Sequence, residues 1–473
     1  MRVFAVLALS SVVFFGLASS GCSHHNGGSS SGDDTDGGTH GGTPDACVGR
    51  GCNVADCRSM SKSDTTLSGT VFAPNGTLPL SGIQVYVPAN DPGALTEGAT
   101  CAKCTDALPG LPVVQTITDA NGNFSLSGVP SGDEVPLVIT SGKWRKIVKL
   151  PHIADCTSTA MTPADTTLPR NRSEGDMPQI AITTGGADSL ECLVRKLGID
   201  DKEITTDTAT PSGRVHLYQS NFGKTHFTTG SMFTQAEDLW SNLDKMKQYD
   251  ILFFSCEGAQ YPANKPQAAL DAVKAYADFG GRVFATHWHN IWLEGSVEQH
   301  DQGYTQTQAK SWTDLATWTN REESELPKDS YALIDETSNP KGEAFANWML
   351  ANHGSTVADR IDLQNQPPDQ GVTLSTGRSS LDHTDLTQTE RWVYLPQSIT
   401  NGATQNFQFT TPIEAGSVDR CGKFVFSDMH VSGTTDAVGG YPDSCGSSLE
   451  MTPQEKALAF MFFDIASCVG IIF

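Results

Sequence analysis

The sequence predicts a multidomain protein in which an all-β sandwich is followed by an α/β domain with a doubly wound, parallel sheet. The chain has 473 residues, more than a single hydrophobic core organises. From about residue 66 to 150, short β-branched runs alternate with turn residues, as in a sandwich. From residue 177 onward, apolar runs of strand length alternate with amphipathic helical segments, which indicates parallel strands with helices on both faces of the sheet.

Residues 1–21 are expected to be a signal peptide. Arg2 precedes an apolar run at residues 3–17 that is too short to cross a bilayer stably. The next segment, Ala-Ser-Ser-Gly-Cys at 18–22, resembles the lipobox of bacterial lipoproteins, which implies that Cys22 is acylated and becomes the mature N-terminus. Ser23 after it implies, within that family, the outer membrane. An ordinary secretory signal cleaved nearby is the alternative.

Residues 22–61 are expected to form a lipidated, flexible tether with a cysteine-rich end, because residues 23–44 contain almost nothing that a core would bury. The chain has 12 cysteines, and in an exported protein those other than Cys22 are expected to form mostly disulfides. Their odd number leaves at least one thiol unpaired, and the connectivity stays open. We interpret Cys101 and Cys104 as a structural loop staple rather than a redox or zinc motif.

The composition is strongly acidic, with a formal net charge of −23. Such a surface repels nucleic acid and anionic lipid head groups, so neither is an expected partner. The expected contact with a membrane is therefore the lipid on Cys22.

The β-sandwich is predicted over residues 62–156, where an Asn121-Gly122 turn is expected to join two strands as a hairpin. The runs Gly69-Thr-Val, Gly82-Ile-Gln-Val and Gly128-Val-Pro-Ser-Gly resemble the carboxypeptidase regulatory-like (transthyretin-like) domain. The resemblance implies a spacer or binding module without catalytic residues. A cysteine-bearing loop at about 89–112 departs from that family, and we interpret it as a stapled excursion, with a contact surface as the alternative. A polar linker is expected at 157–176.

The α/β domain is predicted over residues 177–473. The strands that define it are expected at 179–183, 215–218, 249–255, 282–286 and 423–427. Helices are expected at 190–197, 235–247, 266–280 and 340–353, and from a capping box at Thr452 to about Ser467. The segment at about 295–420 is mostly irregular or β-like, and we interpret it as a β-rich insertion around the edge of the sheet.

Two stretches of this domain carry a second resemblance. Residues 249–258 (YDILFFSCEG) and 280–289 (GGRVFATHWH) resemble the class I glutamine amidotransferase fold, and more closely its ThuA-like branch. This implies a flavodoxin-like sheet. In amidotransferases the strand after the Gly-Gly turn ends in a nucleophilic cysteine at a sharp elbow, and here His287 has that position. The resemblance therefore favours the sugar-linked branch over glutamine-dependent ammonia transfer.

Polar residues that follow strands are candidates for a site, because ligands of doubly wound sheets bind beyond the carboxyl ends of the strands. His287 and His289 follow one strand, and Asp428 and His430 follow another. Because residues i and i+2 of a strand face the same side, each pair is expected to present two ligands to one point, which suits zinc or another divalent ion. The alternative is a buried polar cluster of these residues and nearby tryptophans.

A different chemistry is possible at the end of the preceding strand. Cys256 is a candidate nucleophile with His287 as its base, for acyl transfer or hydrolysis. Glu257 is the candidate general base for a metal-bound water, and otherwise caps a loop. We interpret the neighbouring tryptophans as core packing, with stacking on sugar rings as the alternative: Trp288, Trp292, Trp312 and Trp318.

The sequence thus favours a non-enzymatic, outer-membrane lipoprotein facing the periplasm or the cell surface, in which a β-sandwich spacer presents an α/β domain to a carbohydrate or surface-protein ligand. The alternative is a hydrolase of envelope or extracellular carbohydrate, dependent on a metal or on a cysteine.

Overall fold

The computed structural model describes residues 47–296, 308–312, 314–318, 330–355, 371–374, 378, 380–397, 402–431 and 439–470. The predicted signal peptide, Cys22 and the first part of the predicted tether, to residue 46, lie outside this part of the chain. Among the residues described, no helix is long and apolar enough to cross a membrane.

Seven strands form the first region: β1 Thr66–Thr70, β2 Gln84–Pro88, β3 Pro112–Ile117, β4 Asn123–Ser127, β5 Gly132–Ser141, β6 Trp144–Ile153 and β7 Ser158–Ala160. One sheet has the order β4-β1-β7, and the other has the order β3-β2-β5-β6. Along β4 exposed and buried side chains alternate, so Phe124 and Leu126 point inward. Buried side chains of both sheets contribute to one hydrophobic core.

The Asn121-Gly122 turn connects two sheets instead of closing a hairpin. β3 pairs with β2, and β4 pairs with β1. The turn chemistry is nevertheless the predicted one, because the Asp119 carboxylate accepts hydrogen bonds from the backbone of Asn121 and Asn123. Gly122 has a φ of +76°, which favours glycine. The turn residues therefore reveal the change of direction but not the partner strand.

Residues 157–176, predicted as a linker, are part of the first region. β7 lies parallel to β1. A short helix, α1 Pro163–Thr166, begins at a capping box in which Thr162 accepts a hydrogen bond from the Asp165 amide. Leu168, which follows this helix, is completely buried. Because this apolar contact and strand pairing fix the segment, it is not a free connection.

Among the residues described, the second region contains thirteen strands: β8 Ile180–Thr184, β9 Ile204–Thr205, β10 Val215–Gln219, β11 Thr234–Gln235, β12 Ile251–Phe254, β13 Arg282–Thr286, β14 Ala316–Trp318, β15 Ser330–Ile334, β16 Gly371–Leu374, β17 Leu381–Thr384, β18 Glu390–Tyr394, β19 Thr404–Thr411 and β20 Gly422–Ser427. Its main sheet has the order β11-β10-β8-β12-β13-β20-β19-β18-β15-β16, with β9 beside β10. The six neighbouring strands β11, β10, β8, β12, β13 and β20 run parallel to one another. β19, β18, β15 and β16 continue it antiparallel, so the predicted insertion extends a mixed sheet.

Helices cover both faces of this sheet: α2 Leu190–Lys196, α3 Glu237–Trp240, α4 Leu243–Met246, α5 Gln267–Phe279, α6 Ile291–Glu294, α7 Gly342–Ala351 and α8 Pro453–Ala466. Alternate residues of β12 belong to two separate cores: Phe253 packs in one with α8, and Phe254 packs in the other with α5. α8 begins at the predicted capping box on Thr452.

The two regions are joined by packing and by disulfides. Trp144 of β6 packs on Phe462 and Phe463 of α8, with ring centroids 5.8 and 5.4 Å apart. Ten of the cysteines in the described part of the chain form disulfides: Cys47–Cys52, Cys57–Cys156, Cys101–Cys421, Cys104–Cys468 and Cys192–Cys445. The predicted loop staple is confirmed, and both of its cysteines attach the loop to the α/β region. Cys256 keeps a free, buried thiol.

Candidate metal centre

Cys256 lies two residues beyond the carboxyl end of β12, in the interior. Its side chain is completely buried. Its amide donates to Thr286 Oγ1 over 2.9 Å, and its carbonyl accepts from the Ala187 amide over 2.9 Å. The loop after β8 approaches so closely that a Cβ on Gly185 would lie 2.1 Å from the Cys256 carbonyl oxygen. Glycine at position 185 is therefore needed for this arrangement.

His287 follows β13 at a sharp turn into a 3-10 helix, His287–Asn290. Its φ of +43° is a left-handed conformation that is uncommon for a residue with a Cβ. The turn directs the imidazole toward Cys256, and Nδ1 lies 3.2 Å from Sγ. Cys256 and His287, which were predicted to act together, are therefore in contact in the structure.

His430 follows β20 and brings a second imidazole to the same place. Its ring centroid is 5.1 Å from that of His287. One ligand atom from each of Cys256, His287 and His430 lies within 4.8 Å of the other two, and all three residues are buried. Burial, followed by the charges of His287 and Arg378, holds the pKa of His430 well below its usual range. The neutral imidazole is the form that binds metals.

A thiol and two imidazoles are donor types that transition-metal ions bind, and the three atoms, within 4.8 Å of one another, would close up slightly around an ion. In tetrahedral zinc sites, Zn–S is about 2.3 Å and Zn–N about 2.0–2.1 Å, so the donor atoms are about 3.3–3.6 Å apart. The 3.2 Å between Cys256 and His287 is close to this spacing. Three protein ligands with a fourth position for water is the arrangement of catalytic zinc sites.

A buried carboxyl group, Asp188, lies beside the cluster. Its Oδ1 accepts hydrogen bonds from the amides of Ser189 (3.0 Å) and Val431 (2.9 Å), so it links the loop after β8 to the segment of His430. Burial raises its pKa to about 6, against the opposing effects of these hydrogen bonds and of His287. Asp188 is a site residue beyond those predicted from the sequence, although it lies shortly after β8, at the same kind of position as the other candidates.

His289 is not part of the donor cluster. Residues 287–290 form a 3-10 helix, so the alternation of a strand does not apply to them. Because the Trp292 indole can only donate, His289 Nδ1 accepts from it over 2.9 Å, and Nε2 is left to donate to the Ser255 carbonyl over 2.9 Å. Both ring nitrogens are engaged in these bonds, and burial holds the pKa of His289 well below its usual range.

Asp428 also makes contacts away from the cluster. Its carboxylate accepts hydrogen bonds from Ser380 Oγ (2.7 Å) and from the Leu381 amide (2.9 Å). It therefore holds the start of β17 against the end of β20. The prediction that Asp428 and His430 face one point fails because β20 ends at Ser427, before either residue.

Glu257 forms a buried ion pair with Lys265, whose side chain is completely buried. Its other oxygen accepts hydrogen bonds from the backbone and side chain of Asn221, both at 3.3 Å. These partners hold the carboxylate and make it a poor general base. Lys265 lies at the entry to α5, and no local signal in the sequence predicts its place in the interior.

Three of the four tryptophans near this region, Trp288, Trp292 and Trp312, are buried, and Trp318 is half-buried against Phe426. Trp292 is completely buried and stacks on His289, with ring centroids 5.9 Å apart. Trp312 packs against Phe409 and Phe424. These rings are therefore not an exposed platform for a sugar.

No protein-family model matches the sequence, and no curated protein shows significant similarity to it. A ThuA-like protein from Bacteroides uniformis is a structural neighbour, with 11% identity over 60% of this chain and 88% of that one, and a TM-score of 0.30. A cytoplasmic protein from Salmonella typhimurium is similar at 12% identity over 60% and 98% of the two chains, with a TM-score of 0.25. A cohesin–X-dockerin complex from Acetivibrio cellulolyticus has 14% identity over 30% and 75%, with a TM-score of 0.16. Likenesses of this size bear on neither activity nor ligand.

Proposed function

We propose that this protein is an exported, lipid-anchored hydrolase whose reactive centre is a transition-metal ion, such as zinc, held by Cys256, His287 and His430. The observation that carries the proposal is the convergence of a thiol and two imidazoles from three strand ends, with ligand atoms within 4.8 Å. The sequence favours a binding protein without turnover. The three converging donors shift our preference to its metal-dependent alternative, because a three-ligand site leaves a position for reactive water.

The free state of Cys256 supports the proposal. Every other cysteine of the described residues is in a disulfide. A thiol that is buried between two imidazoles is kept from such oxidation and can serve as a thiolate ligand. In this scheme the ion would supply Lewis-acid activation, and Asp188 would be the neighbouring carboxyl group that accepts a proton, because Glu257 is paired with Lys265.

The five disulfides support an oxidising compartment, in agreement with export and with lipid on Cys22. The transthyretin-like first region, predicted as a spacer, would then be a rigid base for the α/β region, because the two share packing and two disulfides. We keep envelope or extracellular carbohydrate as the proposed substrate class. This choice rests only on the resemblance of residues 249–258 and 280–289 to the flavodoxin-like, sugar-linked ThuA-like branch.

A cysteine hydrolase is the second candidate, because Cys256 Sγ lies 3.2 Å from His287 Nδ1. The two candidates make different use of His430. It is a ligand in the metal centre, whereas a Cys–His dyad has no chemical need for it.

The experiment uses the mature chain with its disulfides intact. Metal content is measured by mass spectrometry, and hydrolysis is followed with 4-nitrophenyl glycosides and acetylated sugars before and after treatment with dipicolinate. We expect about one zinc per chain, loss of hydrolysis on chelation and recovery on adding zinc. His430→Gln should lose both metal and activity, whereas His383→Gln, at an exposed histidine, should keep both.

Other outcomes overturn the proposal in different ways. One bound metal without turnover on any of these substrates would make the protein a metal-binding protein instead of a hydrolase. Turnover that survives chelation and is abolished by iodoacetamide would favour the Cys256–His287 dyad.

A further inference from the structure

A large cavity lies at the opposite edge of the sheet from the candidate metal centre. Its volume is about 650 Å³, within the range of small-molecule sites. It is bounded by the first region, by the loop at 89–112 and by the start of two parallel strands, with Ile251 of β12 and Arg282 of β13 in its wall. Cys256 and His287 follow the far ends of those strands, so the cavity is separate from the proposed reaction.

The cavity wall is held in place by covalent bonds. Cys104 and its disulfide partner Cys468 both line the cavity. A second disulfide, Cys101–Cys421, ties the same loop to the residue just before β20. A bound molecule would therefore not need to order this loop, which lowers the entropic cost of binding.

The charge of the wall is opposite to that of the protein. Four basic residues and two acidic ones line the cavity: Lys103, Lys143, Arg145, Arg282, Asp106 and Asp250. The whole chain has 31 basic residues against 54 acidic ones. Lys143 pairs with Asp250 at 2.6 Å and Lys103 with Asp419 at 3.9 Å, so the positive charge that would favour a negatively charged occupant rests chiefly on Arg282.

Two of these cations are buried with incomplete compensation. The Arg282 guanidinium, 6% exposed, bonds to the carbonyls of Gly280 (2.8 Å) and Cys421 (2.7 Å), and no carboxylate of the described residues lies within 4.0 Å of it. Arg145, 4% exposed, is bound through Nε and Nη2 by Asp176, both at 2.7 Å, and Nη2 also donates to the Gly93 carbonyl over 2.8 Å; its Nη1 has no hydrogen-bond partner among the described residues. Buried arginines are ordinarily paired with a carboxylate, so Arg282 points to an anion, and Arg145 Nη1 is a further donor beside it.

The remaining wall is apolar or aromatic. Leu95, Leu108 and Tyr86 contribute to it, and the Tyr86 hydroxyl is already engaged with the Pro109 carbonyl at 3.1 Å. These side chains offer apolar surface to the body of a ligand. We infer that the cavity binds an organic anion with an apolar body, whose acidic group lies toward Arg145 and Arg282.

The test uses 1-anilinonaphthalene-8-sulfonate as the probe and N-phenyl-1-naphthylamine, which lacks the sulfonate, as its neutral counterpart. Fluorescence titration of the mature chain should give one site per chain for the sulfonate, with an affinity about tenfold or more above that of the neutral amine. The disulfides are kept oxidised throughout.

Two pairs of variants locate the site. Leu108→Trp fills the cavity and should abolish binding, whereas Leu111→Trp, at an exposed position of the same loop outside the cavity wall, should not. Arg145→Gln should weaken binding about tenfold, and Asp176→Asn, which releases Arg145 from its carboxylate, should strengthen it by roughly two- to fivefold. Damage to the fold would not change affinity in opposite directions.

Equal affinity for the charged and neutral probes would overturn the assignment of an anion. Sulfonate binding that is unchanged by Leu108→Trp, or that involves several molecules per chain, would overturn the assignment of the cavity. Neither result depends on the metal centre.

Discussion

The buried ion pair between Glu257 and Lys265 gives a prediction that separates a structural role for Glu257 from a catalytic one. Lys265 Nζ donates to the Glu257 carboxylate and, over 2.9 Å, to the Gln260 carbonyl, and it lies 5.0 Å from the centre of the Trp240 ring. Replacing Lys265 by methionine keeps the apolar volume but leaves a carboxylate in the interior without its cation. Removing only one partner of a buried ion pair is strongly destabilising, because the remaining charge is buried without compensation.

The expected cost is about 3–5 kcal/mol, the range for removal of one partner of a buried ion pair. Residues 47–473 form one compact unit. For its roughly 430 residues, an unfolding entropy of about 2.1 cal/mol/K per residue gives about 0.9 kcal/mol/K. Lys265→Met should therefore lower Tm by about 3–6 °C. In the double variant Lys265→Met/Glu257→Gln no charge remains, and most of the loss should be recovered.

Differential scanning calorimetry at one scan rate, at pH 7, provides the double-mutant cycle. We expect a coupling between the two substitutions of about 2–4 kcal/mol. Additive losses, with a coupling below about 0.5 kcal/mol, would refute the view that Glu257 serves chiefly as the partner of Lys265.

Three further predictions concern other parts of the fold. Burial raises the pKa of Glu191 to about 8, so this carboxyl group ionises at lower pH in the unfolded chain than in the native one. Native stability should therefore fall as pH rises from about 4.5 to 8, and Glu191→Gln should remove this dependence. A difference in Tm between wild type and Glu191→Gln that stays constant across that window would contradict the prediction. Asp428→Asn should lower stability by about 1–3 kcal/mol through its contacts with the start of β17 while metal content stays unchanged by mass spectrometry. Replacing Cys104 and Cys468 by serine should speed proteolysis within residues 89–112, with an unchanged cleavage rate as the contrary result.

Much of the α/β region follows from local sequence signals. The strand predicted at 282–286 has those bounds in the structure, and α8 begins where the Thr452 capping box places it. These elements are set by apolar periodicity and by hydrogen bonds within a few residues of their ends, which a single sequence contains.

The antiparallel half of the sheet was not predicted because nothing local reveals which strands pair. The same limit explains the disulfides, since Cys101 and its partner Cys421 are 320 positions apart.

The candidate site was predicted only in part, because its geometry also depends on contacts between residues far apart in the sequence. The strand-end rule selected His287 and His430 as metal ligands and Cys256 only as a nucleophile, and the sheet topology brings the three together. It also selected His289 and Asp428, because it treated the residues after each strand as if the strand continued. A left-handed φ at His287 and the end of β20 at Ser427 change those directions, and both depend on packing around the turn.

Cobalt(II) titration tests the central claim most directly, because a cobalt–thiolate bond gives a charge-transfer absorption in the near ultraviolet. We expect saturation at one cobalt per chain, with this absorption present in the wild-type protein, absent in Cys256→Ser, weakened in His430→Gln and retained in Asp428→Asn. Cobalt binding without that absorption, or with an absorption unchanged in Cys256→Ser, would contradict a metal centre built on Cys256, His287 and His430.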